Sequence, residues 1–127
     1  MNHLTIIGNL TANPQSRVIN TSNGTATVCN FTVATNRHVR GQTKTTYFRV
    51  TCWHKQAENA MKYLTKGRKV SVFGPVEASA YIAQDGSARA QLEIDAVEIE
   101  YLSGSRQDEG PQAPPPEDYG QYADPGY

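Results

Sequence analysis

The sequence predicts an all-β domain that closes into a small barrel, carries one helix and is followed by a disordered tail. Short runs rich in β-branched residues, separated by turn residues, recur over residues 1–102. One segment, residues 55–66, changes to a helical period. Residues 103–127 contain no Val, Ile, Leu, Met, Phe, Trp or Cys and five of the seven prolines, so they cannot bury enough apolar surface to fold. We therefore expect one domain over 1–102 and a Pro/Gly-rich acidic tail over 103–127.

The first predicted elements form the amino-terminal part of a sheet. A strand over Leu4–Ile7 is expected to end at Gly8-Asn9. A short extended piece over 16–20 precedes Asn23-Gly24, a strong hairpin signal. The strand over 27–35 then alternates three apolar residues onto one face: Cys29, Phe31 and Val33.

The strand over residues 45–53 shows the clearest alternation. Its inward face is predicted to carry Phe48, Val50 and Cys52, and its outward face Tyr47, Arg49, Thr51 and Trp53. Residues 36–43 are polar and basic and include a glycine, so we predict a loop before this strand.

The single helix follows that strand. Its apolar stripe has the spacing i, i+3, i+4, i+7 and consists of Ala57, Ala60, Met61 and Leu64. We predict a helix over Lys55–Lys66, with Gly67 as its carboxyl-terminal cap.

Three further strands complete the predicted barrel, over 69–73, 76–83 and 88–102. The apolar alternation of the last strand shifts phase near Ala96-Val97, which indicates a bulge. Five long strands with one helix between the third and the fourth are the arrangement of the OB-fold, a Greek-key barrel. A split β-sandwich is the alternative, which a mid-chain helix fits less well.

Zero formal net charge conceals an uneven distribution. The segment from Arg37 to Lys69 contains nine basic residues and one acid, a balance of +8. The segment from Glu77 to Glu100 has a balance of −5, and the tail one of −4. The middle of the chain can hold a polyanion if the fold gathers its bases on one face. The other interpretation is a set of solvated loop and helix charges.

The sequence contains little that indicates catalysis. The three histidines are scattered, the two cysteines lack metal-ligand spacing, and no phosphate-binding loop or nucleophile elbow occurs. We therefore expect no enzyme, no metal and no cofactor; a small hydrolase on a β-barrel is the disfavoured rival. We also expect no signal peptide and no membrane span.

The outward face of the strand over 45–53 is the strongest functional signal. Tyr47 and Trp53 flank Arg49, so two aromatic faces for bases lie beside a phosphate ligand, as single-strand binders require. The alternative is that both rings pack under the long loop or the helix. Tyr81 extends the platform or makes ordinary cross-strand packing, and Tyr63 is more typical of helix packing. Phe31 and Phe73 are predicted in the core.

Several segments resemble the bacterial-type single-stranded DNA-binding proteins, in the family's order and register. They are Ile6-Ile7-Gly8-Asn9-Leu10 with Asn13-Pro14, Phe31–Thr35, Tyr47–Trp53, Ala57-Glu58 through Gly67, and Val70–Gly74. The resemblance covers residues 3 to about 102. It implies an OB-fold that assembles as a homotetramer and wraps single-stranded DNA.

The resemblance also implies roles for individual residues. It assigns stacking to Tyr47, Trp53 and Tyr81 and a phosphate contact to Arg49, with weaker candidates at Lys55 and Lys62. We add Arg37 and Arg40, from the basic loop, to the expected DNA-binding residues.

Three departures from the family's pattern stand out. Val39 occupies a loop position where many members have a tryptophan, and Glu77–Ala80 is not basic as it is in many members. The chain ends Asp124-Pro125-Gly126-Tyr127, without a run of aspartates or a final Pro-Phe. Recruitment of replication or repair proteins through the tail is therefore left open.

Together these features predict non-catalytic, sequence-tolerant binding and protection of single-stranded DNA in replication, repair or recombination. The alternative is a primosomal or accessory OB-fold protein that acts mainly through protein–protein contacts. We expect a cytoplasmic protein, nucleoid-associated in a bacterium.

Overall fold

The computed structural model describes residues 1–102; the predicted tail, 103–127, lies outside the described residues. The elements are β1 Leu4–Leu10, β2 Gln15–Thr21, β3 Gly24–Val39, β4 Gln42–Trp53, α1 His54–Tyr63, β5 Lys69–Gly74, β6 Val76–Ile82, β7 Ala88–Asp95 and β8 Glu98–Tyr101.

A closed ring of strands forms the barrel. β3 pairs antiparallel with β1 and β4, and β1 pairs antiparallel with β5. β7 runs parallel to β4, and β8 pairs antiparallel with β5. Because β7 and β8 follow one another, they act as one broken strand that joins β4 to β5. The ring therefore contains five strands. Outside it, β2 pairs with β3 and β6 pairs with β7. This confirms the predicted OB-fold. The helix follows the fourth strand rather than the third because the predicted extended piece over 16–20 is part of a full strand, β2.

The break between β7 and β8 is the point where the chain changes neighbours. The Ala96 N–H donates to the Thr51 carbonyl at 2.9 Å, and the Val97 N–H donates to the Phe73 carbonyl at 2.8 Å. The predicted phase shift thus marks a break rather than a bulge within one long strand. A Cβ at Gly74 would lie 2.1 Å from the Asp95 carbonyl oxygen, so only glycine fits this junction.

Two predicted boundaries near the barrel were wrong. β1 continues through Gly8-Asn9 to Leu10, because Gly8 packs its bare Cα against the neighbouring strand. Residues 36–43 form no loop but the end of a long β3–β4 hairpin, which we call the arm. Its turn residues, Arg40 and Gly41, have φ of 53° and 78°, as a two-residue type I′ turn requires.

The helix is shorter than predicted. It ends at Tyr63, where the N–H of the extended cap residue Leu64 donates to the Ala60 carbonyl. Gly67 is not the cap; it has φ 91° in the following turn, and its N–H donates to the Leu10 carbonyl at 2.9 Å. Ala57, Ala60 and Leu64 are buried as expected, but Met61 is exposed.

The barrel interior is filled by the inward-facing residues of the ring and by the helix. Its buried members are Ile6, Leu10, Cys29, Phe31, Val33, Phe48, Val50, Cys52, Ala57, Ala60, Leu64, Val70, Val72 and Ile94. The placement of Phe31 is confirmed. The placement of Phe73 was wrong, because β5 turns Val70 and Val72 inward and Phe73 outward, where it stacks on His3 with ring centroids 5.0 Å apart.

Candidate nucleic-acid interface

The outward face of β4 carries the predicted aromatic and basic residues together. Phe48, Val50 and Cys52 are buried, and the residues between them therefore face away from the barrel interior. Tyr47 is 50% exposed and Trp53 40% exposed, with Arg49 exposed between them. Both aromatic residues thus keep surface that a stacking partner can reach.

Trp53 lies beside the outward-facing residues of the neighbouring strand β3. Val28 lies directly opposite Trp53 on β3, and Arg17 lies opposite Val28 from the β2 side. Val28 is only 1% exposed although it belongs to the outward face, so its cross-strand neighbours cover it. Trp53 is thus the direct cross-strand neighbour of a buried residue and is itself 40% exposed, so packing on the sheet and stacking on a base are compatible.

The junction after Trp53 directs the chain away from this face. Trp53 keeps extended backbone, with φ −131° and ψ 155°, whereas the next residue, His54, has φ 57°. A left-handed residue at this point turns the chain abruptly from strand into helix. Trp53 therefore ends β4 in extended conformation, and its ring is tilted against the ring of His54, the first residue of α1, with ring centroids 6.3 Å apart.

Tyr81 belongs to the same face, on the β6–β7 hairpin. Arg49 pairs with Glu93 of β7, and Glu93 pairs with Glu77 of β6. Tyr81 is four residues beyond Glu77 on its strand, so it faces the same way. Tyr81 is 48% exposed.

A groove opens on the β2 side of Arg49. It has a volume of about 410 Å³, and its ten lining residues are Thr11, Ala12, Asn13, Gln15, Ser16, Arg17, Asn30, Phe31, Thr32 and Arg49. The lining thus holds two guanidinium groups, several hydroxyl and amide groups, and no carboxylate. Such a groove suits an anionic, hydrogen-bonding ligand.

A chain of hydrogen bonds holds the basic wall of this groove in place. Arg17 Nη1 donates to Asn30 Oδ1 at 3.3 Å, and Asn30 Nδ2 donates to Thr51 Oγ1 at 2.8 Å. Arg17 and Asn30 were not among the predicted site residues. The predicted hairpin turn at Asn23-Gly24 was the available signal for Arg17. Counting back from this turn places Arg17 beside the outward-facing residues of β3.

The opposite side of Arg49 is acidic. A smaller pocket of about 240 Å³ is lined by Asn2, Pro75, Val76, Glu77, Glu93 and Asp95. Glu77 and Glu93 are direct cross-strand neighbours. Farther along the hairpin, Asp85 accepts hydrogen bonds from the Ser87 N–H and hydroxyl at 2.9 and 2.7 Å, which lowers the pKa of its carboxyl group. The face is therefore basic toward β2 and acidic toward β6 and β7.

The remaining predicted site residues lie around this face rather than on it. Arg37 pairs with Lys44 on the arm, and the alternation places both on the side of the ribbon opposite Tyr47. Arg40 lies in the turn of the arm. Lys55 is exposed in the first turn of α1, just after the Trp53-His54 junction.

Lys62 lies at the far end of the helix. Its Nζ is 5.5 Å from the ring centre of Tyr63, and the Tyr63 ring is tilted against Tyr101 of β8 at 5.8 Å. This places Lys62 beside β8, away from the β4 residues. Desolvation of the Tyr101 hydroxyl by burial is the main cause that raises its pKa.

The described part of the chain contains neither a metal-binding cluster nor a membrane-spanning helix. Over residues 1–102, no group of three or more His, Cys, Asp or Glu side chains is arranged to hold a metal ion. Within the same residues, no helix is both long and apolar enough to cross a membrane.

The comparisons with known proteins agree with this geometry. The model of the single-strand binding protein family matches residues 1–102. Single-stranded DNA-binding protein 2 of Clostridium acetobutylicum is 38% identical over 104 residues, covering 80% of this chain and 77% of that protein. Single-stranded DNA-binding protein 1 of the same organism is 34% identical over 110 residues, covering 84% and 98%.

A solved structure shares the fold as well. The small single-stranded DNA-binding protein from Streptomyces coelicolor superposes with a TM-score of 0.60 at 25% identity, covering 79% of this chain and 93% of that one. The family match spans every described residue, from β1 to the end of β8, and includes the β4 face. The chain that presents this face is therefore a member of the single-strand binding protein family.

Proposed function

We propose that this protein binds and protects single-stranded DNA, without catalysis, in replication, repair or recombination. Residues 1–102 form the binding domain. Tyr47, Trp53 and Tyr81 stack on bases, and Arg49 neutralises a phosphate. Lys55, Lys62, Arg37 and Arg40 add weaker contacts to the backbone of the DNA.

The observation that carries this proposal is the line of half-exposed rings around an exposed arginine on β4. Every base offers a π-face and every nucleotide a negative charge, so such a line binds single strands with little sequence preference. Duplex DNA hides its base faces in the stack and offers only its phosphates. The names of the similar proteins point in the same direction.

We further propose that the chain assembles as a homotetramer in the cytoplasm. The outward face of β1 and β5 supports self-association, because it exposes 51% of Ile7 beside the stacked rings of His3 and Phe73. Light scattering is expected to give four times the chain mass of 14.0 kDa. A monomer at micromolar concentration would remove the proposed wrapping of DNA around a tetramer and favour an accessory protein that acts through protein contacts.

The test of DNA binding is a fluorescence titration with oligo-dT at several salt concentrations. The chain has one tryptophan, so excitation at wavelengths that tyrosine does not absorb gives a signal from Trp53 alone. Stacking on a base is expected to quench the emission of Trp53 until the binding sites are saturated. The affinity for oligo-dT should fall as the salt concentration rises. A duplex of equal length serves as the control and should bind far more weakly. Equal affinity for duplex and single strand, or no binding at all, would contradict the proposal.

A further inference from the structure

We propose that the groove over β2 is the phosphate channel of this protein, with Arg17 and Arg49 as its two anion ligands. The phosphates of the bound strand run from Arg49 toward β2 and not along the β6–β7 hairpin. This inference rests on the proposed binding of single-stranded DNA and assigns the path of the strand.

The first argument is the lining of the groove. Arg17 and Arg49 are the charged members among its ten lining residues, and they come from different strands, β2 and β4. A guanidinium group binds phosphate oxygens through paired N–H donors, and it keeps its charge at every physiological pH. The hydroxyl and amide groups between the two arginines are suitable neighbours for sugar and phosphate oxygens.

The second argument is that Arg17 is held ready for a ligand. Its side chain is exposed, and one guanidinium nitrogen donates to Asn30 Oδ1 at 3.3 Å. Asn30 in turn is fixed by its bond to Thr51. A neutral amide orients the guanidinium group without cancelling its charge, which a carboxylate in the same place would do. Asn30 is thus a positioning residue for Arg17.

The third argument is the charge on the other side of Arg49. Its neighbour on β3 is Thr32, whereas its neighbour on β7 is Glu93. Glu93 faces Glu77 on the next strand, and Asp95 lines the same pocket. Adjacent strands are about 4.8 Å apart, which is within the Debye length of about 8 Å at physiological salt. A phosphate that moves from Arg49 toward β7 therefore meets three carboxylates, while one that moves toward β3 meets the Thr32 hydroxyl and enters the groove that Arg17 also lines.

Tyr81 is compatible with this path. It is an exposed aromatic residue, and it lies on the acidic hairpin. A base can reach its ring while the phosphates stay on the β2 side.

The test compares Arg17→Ala with Arg89→Ala as a matched control. Both arginines lie on the outward face of the sheet, but Arg89 belongs to the hairpin and is 3.6 Å from Asp85. The slope of log K against log salt is measured for each with an oligo-dT that fills one site. Arg17→Ala is expected to reduce the slope by about 0.7, because one phosphate contact to a single strand is lost. Arg89→Ala is expected to leave the slope unchanged.

Two further variants separate a phosphate contact from a structural effect. Arg17→Lys keeps the charge and should retain the slope. Asn30→Asp places a carboxylate on Arg17 and should reduce the slope although Arg17 is still present. Thermal melting of each variant shows whether it is folded.

The outcomes distinguish this inference from the proposed function. A folded Arg17→Ala with the wild-type slope, or an Arg89→Ala that loses as much slope as Arg17→Ala, would overturn the phosphate channel. An Asn30→Asp that keeps the wild-type slope would remove the positioning role. Failure of the wild-type protein to bind oligo-dT would instead overturn the proposed function itself.

Discussion

Cys29 and Cys52 face each other across the β3–β4 ladder, each without exposed surface, and Cys52 Sγ lies 3.8 Å from the Cys29 carbonyl oxygen. They lie on the inward side of the two strands whose outward side carries Thr51 and Trp53. The pKa of the Cys52 thiol is raised far above its ordinary value. Hydrogen bonding with Cys29 is the larger cause, and burial is the second. Both residues therefore behave as small apolar core residues.

The first prediction is that neither thiol reacts in the folded protein. Iodoacetamide must reach the sulfur atom to act on its thiolate, and neither Cys29 nor Cys52 has exposed surface in the folded chain. Mass spectrometry should therefore find no modification of the native protein at pH 8 and two modified cysteines per chain after unfolding in urea. Rapid labelling of native protein would show that the β3–β4 core opens readily.

The raised pKa of the Cys52 thiol also leads us to expect that the free energy of unfolding depends on pH. Because the pKa of Cys52 is higher in the folded than in the unfolded chain, the folded state binds the proton more tightly. Its contribution is complete below about pH 8.5, the ordinary thiol pKa, and declines as the pH rises above it. The urea midpoints of wild type and Cys52→Ala should converge between pH 8 and pH 10. A constant difference would mean that the thiol does not titrate on unfolding.

The second prediction concerns the close approach of β1 to β3. A Cβ on Gly8 would lie 2.2 Å from the Ala34 carbonyl oxygen and 2.9 Å from a Val33 methyl carbon. Gly8→Ala must therefore push two core strands apart, and overpacking of this kind costs about 1–3 kcal/mol or more. Asn20→Ala, at an exposed position of β2, is the control and should change the free energy of unfolding little. Equal urea midpoints for Gly8→Ala and wild type would show that the strands can separate without loss.

The outward face of β4 could be predicted from the sequence because a period of two leaves little choice. Once Phe48, Val50 and Cys52 are assigned to the core, Tyr47, Arg49 and Trp53 must face the other way. The barrel order could be predicted for a similar reason, since one change to helical period fixes where the helix lies. Both inferences depend on local patterns only.

The features that sequence reasoning missed depend on contacts between distant segments. Gly8 looks like a turn residue until its neighbour Ala34 is known. Arg40 is an unusual first residue for a type I′ turn, so the arm looked like a loop. Arg17 lies outside the basic segment, and only the pairing of β2 with β3 brings it near Trp53.

The third prediction is that residues 103–127, which lie outside the described residues, are dispensable for DNA binding. They carry five acids and one base, so they can compete with DNA for basic groups only weakly. Deletion of this segment should leave the affinity for oligo-dT unchanged, or raise it slightly at low salt, where electrostatic competition is strongest. A tenfold loss of affinity would show that the segment belongs to the binding site.

The last prediction is that Trp53 and Arg49 lose binding in different ways. Stacking on Trp53 contributes about 1–3 kcal/mol per base and is largely non-ionic. A phosphate contact by Arg49 acts through counterion release, with about 0.7 of a charge in the salt slope for single strands. Trp53→Ala should therefore weaken binding at every salt concentration and leave the slope nearly intact. Arg49→Ala should flatten the slope, and its penalty should shrink as salt rises.

Matched variants make this comparison specific, with binding measured by anisotropy of a labelled short oligo-dT. Trp53→Phe keeps an aromatic ring opposite Val28 and should retain most of the affinity, whereas Trp53→Ala removes the ring and must be checked for folding by thermal melting. Arg49→Lys keeps the charge and should keep the slope. If folded Trp53→Ala binds like wild type, the indole packs on the sheet without touching DNA. The bases must then stack elsewhere, with the arm around Arg40 as the next surface to test.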